Sequence, residues 1–477
     1  MEPVLTPAEM AEADQRAIAA GTSVDVLMDR AGRAVAWAVR RRLDGVYGRR
    51  AVVVCGKGNN GGDGLVAAAT LRAWGMRVDV IELVQPADDP ALRRAFDRAD
   101  VFVDAMYGTG FSGQLEGLAA DAAARSAELT TVAVDIPSGI DGRTGQQHGL
   151  AVRAGTTVTF AAAKPGVLFE PGRSHSGDVV VVDIGIDVGA PTTGVTESSD
   201  VAGWLAATAP APDTNKWRAG LVVVGGSGGM TGAPLFVSHA AMRAGAGIVW
   251  CWVPGHEAAA AASGSEVITR ALPSTDDGAL AGLGDLLESL ERFRAAAVGP
   301  GLGTSAPTRA AVRELVTKTS VPLVLDADGL NAFAGDAGAL RARRGPTVLT
   351  PHEGEYARLV GEPVGTDRLD AACGLAAASH AVVLLKGPAT IVAEPDGRVA
   401  VNPTGGPELA TAGSGDVLTG IIGGFLARGM PPFEAAAAAA YVHGCAADIA
   451  GHTGLIARDV IAALPRALDA LTSSRES

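Results

Sequence analysis

The sequence predicts an α/β protein made of two successive α/β units, and three observations carry that expectation. Short runs of β-branched residues alternate with alanine-rich helical stretches, the βαβ pattern of a parallel sheet. The alternation lapses once, between about residues 188 and 215, into Pro/Thr/Ser-rich sequence. Each half then carries one glycine-rich anion cradle: Gly58-Asn59-Asn60-Gly61-Gly62-Asp63-Gly64 and Thr411-Ala412-Gly413-Ser414-Gly415-Asp416. Glycine lets backbone N–H groups approach a phosphate closely, and the adjoining acid can move a proton or hold a cation.

In chain order, the first half predicts strands at residues 51–55, 78–83, 101–104 and 131–136. A linker follows over 191–214, interrupted by one helical stretch near 201–206. The second half predicts strands at 221–224, 248–252, 296–298, 323–326, 348–350 and 382–385, then helices from about 416 onward. The domains are therefore expected at 1–190 and 215–470. A length of 477 residues fits, since roughly 100–200 residues make one domain. The run from Ala435 to Ala440 reads as helix filler.

Composition narrows the function class. The formal charge of -13 disfavours the sequence-independent hold on nucleic acid that lysine and arginine clusters provide. Phosphorylated ligands must be held locally, by helix N-termini, glycine amides and a cation. Cys55, Cys251, Cys373 and Cys445 stand far apart without CxxC spacing, so neither a zinc site nor a disulfide framework is suggested. No basic region followed by an apolar run opens the chain, and no apolar stretch reaches spanning length. A soluble cytoplasmic protein with no membrane or nucleic-acid partner is expected, assembled as a homo-oligomer.

In the first half, Gly56, Gly58 and Gly61 match G-x-G-x-x-G, with Glu82 about twenty residues on, but a glycine-rich chain generates such spacings often. A plain dinucleotide fingerprint leaves Asn59, Asn60 and Asp63 unexplained. Further strand ends add Asp104, in Asp104-Ala105-Met106-Tyr107-Gly108-Thr109-Gly110, and Asp135 with Ser138, in Asp135-Ile136-Pro137-Ser138-Gly139-Ile140-Asp141-Gly142. Singly, either aspartate could merely cap a turn. Together they offer an amide, two carboxylates and a hydroxyl, a donor set for a hard cation. Lys57 reads as a solvated side chain.

These motifs, preceded by Met28-Asp29-Arg30-Ala31-Gly32, resemble the NAD(P)H-hydrate epimerase domain over about residues 1–190. The resemblance implies a Rossmann-like three-layer fold and a potassium ion held by Asn60, Asp104 and Ser138. It also implies a hydrated NADH or NADPH touching Asn59, Asn60, Gly61, Gly62 and Asp63, then Gly108, Thr109, Gly110, Phe111, Ser112, Gly113 and Gln114, and Asp135. Such a reaction inverts the hydroxyl-bearing carbon beside the ring nitrogen. The nitrogen lone pair expels hydroxide, and water can attack the planar iminium from either face. Asp135 is the candidate for proton handling.

In the second half, a flexible loop at Gly225-Gly226-Ser227-Gly228-Gly229-Met230-Thr231-Gly232-Ala233 follows a strand and precedes a helix. It lacks the lysine and Ser/Thr of a Walker A loop. Further clusters stand at Gly299 to Gly303, Asp326 to Asn331, Thr350 to Glu355, Lys386 to Thr390 and Gly413 to Asp416. Any one could be an ordinary turn, but all are expected at one strand edge, where parallel sheets bind ligands. His352 could cap a helix or meet a ligand. Asp416, at the first turn of a helix opened by Gly413-Ser414-Gly415, can take a proton from an attacking hydroxyl beside amides that stabilise a transferring phosphoryl group.

This half resembles the ADP-dependent NAD(P)H-hydrate dehydratase family, a branch of the ribokinase-like fold, over about residues 200–470. By that resemblance Lys386, Gly387, Pro388, Ala389 and Thr390, with Gly406, Ala410, Thr411, Ala412, Gly413, Ser414 and Gly415, surround the adenine nucleotide. Ala233, Gly301 or Gly303, His352 and Asp416 meet the hydrate. Gly405-Gly406-Pro407-Glu408-Leu409-Ala410 departs from the family's Gly-Asn-Pro-Gly-Met-Ala-like run. Phosphate leaves carbon readily where hydroxide does not, so the implied reaction phosphorylates the hydrate and eliminates phosphate, turning ADP into AMP with magnesium as the divalent partner. A ribokinase-like vitamin or sugar kinase fused to a nucleotide-binding module is the alternative.

Overall fold

The computed structural model describes residues 1–83, 90–263 and 266–473. It divides into two compact units, Glu2–Thr193 and Gly194–Ser477 with Met1.

In the first unit six strands lie in the order Arg77–Glu82, Arg50–Cys55, Val101–Ala105, Thr130–Val134, Thr156–Phe160 and Asp178–Val182. All pair in parallel. Side chains alternate across a strand, so Val53 and Cys55 join one core while Val52 and Val54 join another on the opposite face. Helices Val24–Arg42 and Asn59–Ala73 supply Val35, Val39, Ala67 and Leu71 to the first core. Phe96, Leu118 and Ala122 from Pro90–Phe96 and Gly117–Arg125 fill the second. A sheet buried on both faces reads as apolar runs, as 51–55 does. The chain leaves strand Arg50–Cys55 for a neighbour on one side and later returns to the other. The crevice between Arg50–Cys55 and Val101–Ala105 is thus a topological switch point, where parallel sheets bind ligands.

In the second unit nine strands from Gly220 onward follow the order Val399–Val401, Ile391–Ala393, Val382–Leu385, Thr347–Leu349, Leu323–Leu325, Ala295–Val298, Gly220–Val224, Ile248–Pro254 and Ile268–Leu272. Pairing is parallel from Val382–Leu385 to Ile268–Leu272 and antiparallel in the hairpin Ile391–Ala393/Val399–Val401. Again the first strand, Gly220–Val224, has neighbours reached in opposite directions. Helix Ser414–Ala427 crosses the sheet with Val417, Ile421, Ile422 and Phe425 buried. Its Gly420 packs so closely on helix Gly232–Arg243 that a Cβ there would lie 2.3 Å from the Val237 carbonyl oxygen. That close approach fixes the N-terminal turn carrying Asp416. Helix Pro432–Ala450 buries its alanine run, Ala435 to Ala440, in the same core.

The stretch expected as linker is partly structured. Helix Ser198–Ala207 lies within it and buries Val201 and Leu205 in the core of the second unit. Strands Thr156–Phe160, Asp178–Val182, Ile268–Leu272, Ile391–Ala393 and Val399–Val401 are additions to those the sequence pattern predicts.

Candidate active sites

The first site opens from the switch-point crevice. Strand Arg50–Cys55 runs into Gly56, whose backbone presses against its neighbour so that a Cβ would lie 1.8 Å from the Met106 carbonyl oxygen. Helix Asn59–Ala73 then starts at Gly58 with no side-chain cap, leaving its first-turn amides to an incoming anion. A cavity of about 680 Å³ lies in front. Among its lining residues are Asn59, Asn60, Asp63, Gly108, Thr109, Gly110, Phe111 and Asp135. Gly61, Gly62, Ser112, Gly113 and Gln114 do not line it. Gly61 packs against Gly56, Gly62 against the Met28 thioether, and Gln114 along Gly149.

Asp104 and Ser138 sit one layer behind. Asp104 is fully buried and accepts from Ser138 Oγ at 2.7 Å, Ser138 N at 2.8 Å and Met106 N at 3.2 Å. Tyr107 N donates to Ser138 Oγ at 3.0 Å, tying this pair to the cavity wall. Burial pushes the Asp104 carboxyl up to about 6, against the pull of the hydrogen bonds from Ser138 and Met106. The Asn60 side-chain N–H group is buried and, among the described residues, has no hydrogen-bond partner. Asn60 Oδ1 and Asp135 Oδ2 flank Gly108, at 3.3 and 2.9 Å from where its Cβ would be.

Asp104 and Asp135 make different contacts: the bonds to Asp104 come from Ser138 and Met106, whereas Asp135 faces Lys164. Asp135 pairs with this lysine, whose Nζ lies 2.9 Å from its Oδ1. Its backbone is left-handed, φ 68°, a conformation costly for a non-glycine residue and concentrated at functional positions. Lys164 is absent from the residues that sequence reasoning singles out, although its signal exists: an alternating Thr-Thr-Val-Thr-Phe strand leads to Lys164-Pro165-Gly166 at the same sheet edge. Asp14, also missed, lines the cavity from helix Pro7–Ala19. Burial raises its carboxyl, opposed by Lys164 and reinforced by Asp135.

The second site gathers at the other switch point. Gly226 N donates to Pro300 O and Ser227 Oγ to Gly301 O, each at 2.8 Å, so the two glycine loops hold each other. A Cβ at Gly301 would lie 3.4 Å from Ala233 Cβ, which brings these two residues together. Gly303 N instead donates to Asp328 Oδ2 at 2.8 Å.

Asp416 occupies the third position of helix Ser414–Ala427, whose N-cap Gly413 has φ 86° and offers no side-chain cap. One turn on, Thr419 donates to Asp326 Oδ2 at 2.6 Å, and Lys386 Nζ donates to Asp326 Oδ1 at 2.7 Å. Lys386 Nζ also lies 3.5 Å from where a Gly415 Cβ would be. A lysine, a buried aspartate and the helix N-terminus are thus locked together. Burial would raise Asp326, but the charge and hydrogen bond of Lys386 and the bond from Thr419 hold it below its ordinary value. Burial works to lower Lys386, and Asp326 with Glu355 outweighs it, so the ammonium is raised. Asp416 is pushed up to about 7 by burial and by Asp326, with Lys386 opposing and Glu355 adding. Burial, with Lys386 adding, drives His443 down to about 4; its Nε2 stands 3.3 Å from Ser414 Oγ.

His352 is the N-cap of helix Glu353–Val360: its Nδ1 accepts from Gly354 N at 2.9 Å and Glu355 N at 3.3 Å, while the Glu355 carboxylate accepts in return from His352 N. The other ring nitrogen, Nε2, lies 3.5 Å from Glu355 Oε1. Arg368, which no sequence motif marks, donates to Lys386 O at 3.1 Å and pairs with Glu353, bracing Gly387. Thr390 Oγ1 donates to Gly387 O at 3.2 Å. At the departing run, Glu408 folds back on Gly406, its Oε2 2.6 Å from where a Cβ would be.

Residues 221–465 match the NAD(P)H-hydrate dehydratase family, and residues 24–99 and 81–166 match the YjeF-related protein N-terminus. The chain is 40% identical to a bifunctional NAD(P)H-hydrate repair enzyme of Moorella thermoacetica, covering 99% of this chain and 98% of the relative. One of the same name from Mycobacterium tuberculosis is 40% identical over 86% of each chain. A ribokinase-like superfamily protein from Enterococcus faecalis superposes with a TM-score of 0.51 at 23% identity, over 60% of this chain and 98% of its own, which shows the fold of the second unit. With both family matches in place and relatives aligned from end to end, the chain belongs to the bifunctional NAD(P)H-hydrate repair enzymes.

Proposed function

We propose that the chain interconverts the R and S epimers of hydrated NADH and NADPH in its first unit and dehydrates the S epimer in its second, with ADP becoming AMP and phosphate. The observation that carries the dehydratase reading is Asp416 in the uncapped first turn of helix Ser414–Ala427, beside the Lys386–Asp326 pair. Asp416 takes the proton of the hydrate's hydroxyl as its oxygen attacks the β-phosphorus, and the AMP oxygen leaves. The first-turn amides and Lys386 balance charge on the moving phosphoryl group. The ring nitrogen's lone pair then expels phosphate, and loss of a proton from the adjacent carbon restores the dihydropyridine. A magnesium ion bound with the nucleotide would supply the divalent charge that such phosphoryl transfers require.

In the first unit Asp135 handles protons at the hydroxyl-bearing carbon. Asn60, Asp104 and Ser138 would hold a potassium ion, and the residues fit one. The oxygens are hard donors. Asp104 is fully buried, and among the described residues no cation offsets its charge. The ion would supply that missing charge near the substrate.

The test gives the purified chain both epimers, with and without ADP, in potassium and in sodium salts. Reduced nicotinamide should form only with ADP, in step with AMP, and the R epimer should disappear through the S epimer. A phosphorylated nucleotide that accumulates without elimination would assign the second unit to a kinase instead. Epimerisation that is indifferent to potassium would remove the ion from the site.

A further inference from the structure

Three carboxylates line the first cavity, Asp14, Asp63 and Asp135, and the last two have opposite surroundings. Asp135 is clothed with donors: Lys164 Nζ at 2.9 Å and Thr159 Oγ1 at 3.1 Å on Oδ1, and Thr109 N at 3.1 Å on Oδ2. Lys164 is 1% exposed, and its three ammonium protons match three acceptors, Asp135, Thr159 Oγ1 at 2.9 Å and Phe160 O at 2.7 Å. It has no donor left for a ligand and acts by fixing Asp135. Asp63 lines the same cavity, is 8% exposed, and its carboxyl has no hydrogen-bond or ion-pair partner among the described residues. It sits at the fifth position of helix Asn59–Ala73, beyond the first turn whose amides would favour its charge.

We infer that Asp63 is the acid of the epimerisation, protonating the departing hydroxyl on one face of the ring, while Asp135, positioned by Lys164, takes the proton of the water that adds to the other face. The inference rests on the epimerase reading above. In the forward step the carbon–oxygen bond breaks and the oxygen leaves as water with the Asp63 proton. The ring nitrogen's lone pair becomes the second bond of the iminium. Water then forms the new carbon–oxygen bond, gives its proton to Asp135, and the electron pair returns to nitrogen. The proton passes back from Asp135 to Asp63 through cavity water, and the reverse reaction exchanges the roles. Two titratable groups whose environments differ in this way divide acid from base.

The charge field agrees. Burial pushes Asp63 up to about 8, with Asp135 and then Asp14 adding. The other charged groups lining the cavity are Asp14 on helix Pro7–Ala19, Asp135 and Lys164 past the ends of neighbouring strands, and Lys57 in the loop before its own helix. Among the described residues neither lysine reaches it.

The experiment uses the full chain and follows an enriched R epimer of hydrated NADH as it relaxes toward the mixture, with the enzyme-free drift subtracted. Asp63→Asn should slow epimerisation about 100-fold or more, the scale of losing a general acid, while ADP-dependent dehydration of the S epimer stays within about twofold. Wild-type epimerisation should fall above about pH 8, as the acid form is lost, and the residual rate of Asp63→Asn should lack that fall. Asp63→Glu should restore part of the rate with the alkaline limb displaced, and it decides the matter if Asp63→Asn does not fold. Epimerisation by Asp63→Asn within about threefold of wild type, or an alkaline limb that Asp63→Glu leaves unmoved, overturns the inference. A wild-type chain that never epimerises would instead sink the underlying reading.

Discussion

Both units place an aspartate near the N-terminus of a glycine-opened helix at a sheet's switch point, yet the two acids live in different fields. Asp416 lies in the first helical turn, with Lys386 close enough to oppose the burial that raises it. Asp63 lies two residues deeper in its helix, with only like charges adding to its burial. In the proposed reactions, two residues along a helix and one lysine separate a carboxylate that takes a proton from one that gives it. The lesson is that a glycine-rich cradle fixes where an anion binds, while the direction of proton transfer is set by what stands beside the acid.

The largest expected effect tests the first half of that comparison. Asp416→Asn removes the proton acceptor and should lower dehydration by about 1,000-fold or more, combining the loss of the base with a disturbed phosphoryl site. Epimerisation by the same chain should be unchanged. An Asp416→Asn chain that still forms reduced nicotinamide at about a tenth of the wild-type rate would dismiss Asp416 as the base.

Next in size is the opposition of the pH profiles. Asp416 works ionised, so dehydration should fall as pH drops through about 7, by about tenfold per pH unit well below it. Asp63 works protonated, so epimerisation should fall as pH rises through about 8. Measuring both activities on one preparation from about pH 6 to 9 checks this, and limbs that run in the same direction would break the comparison.

Much of this was legible in the sequence because glycine motifs and strand ends are local. Asp416 needed only its helix start, and Asn60, Asp63 and Asp135 needed only their turns to be placed at one sheet edge. Lys164 escaped because its meaning is a distance, 2.9 Å to a residue 29 positions earlier, set by the pairing of Thr130–Val134 with Thr156–Phe160. The Lys386–Asp326 pair spans 60 residues, and nothing in either motif announces the other. Capping was ambiguous for His352 until the turn geometry gave Nδ1 to Gly354 and Glu355. Short strands such as Val399–Val401 also lacked the length that marks a strand by pattern.

Stability gives a smaller, independent measure of the Asp63 environment. Its ordinary value is 3.8 and its folded value about 8, so between these pH values the folded chain binds a proton that the unfolded chain has released. Stability should therefore decline as pH rises from about 4 to 8, and Asp63→Asn should flatten that decline. At neutral pH the difference is on the order of a few kcal/mol, since each pH unit between the unfolded and folded titrations is worth about 1.4 kcal/mol. Urea unfolding of the full chain at about pH 5 and pH 8, followed by a probe in the first unit, reads the slope. Equal slopes in wild type and variant would show that the carboxyl ionises freely in the folded state.

The smallest effect separates two roles at one residue of the second site. His352 spends Nδ1 on capping helix Glu353–Val360, and Glu355 of that helix is one of the charges that raise Asp416 and Lys386. His352→Ala should cost about 1 kcal/mol of stability, the usual loss of an N-cap. His352→Asn retains a capping oxygen and should recover that stability, but it has no counterpart to Nε2. If Nε2 meets the hydrate, His352→Asn will raise KM for the S epimer several-fold at unchanged kcat. Wild-type KM in the stable Asn variant would confine His352 to holding the helix that shapes the charge around Asp416.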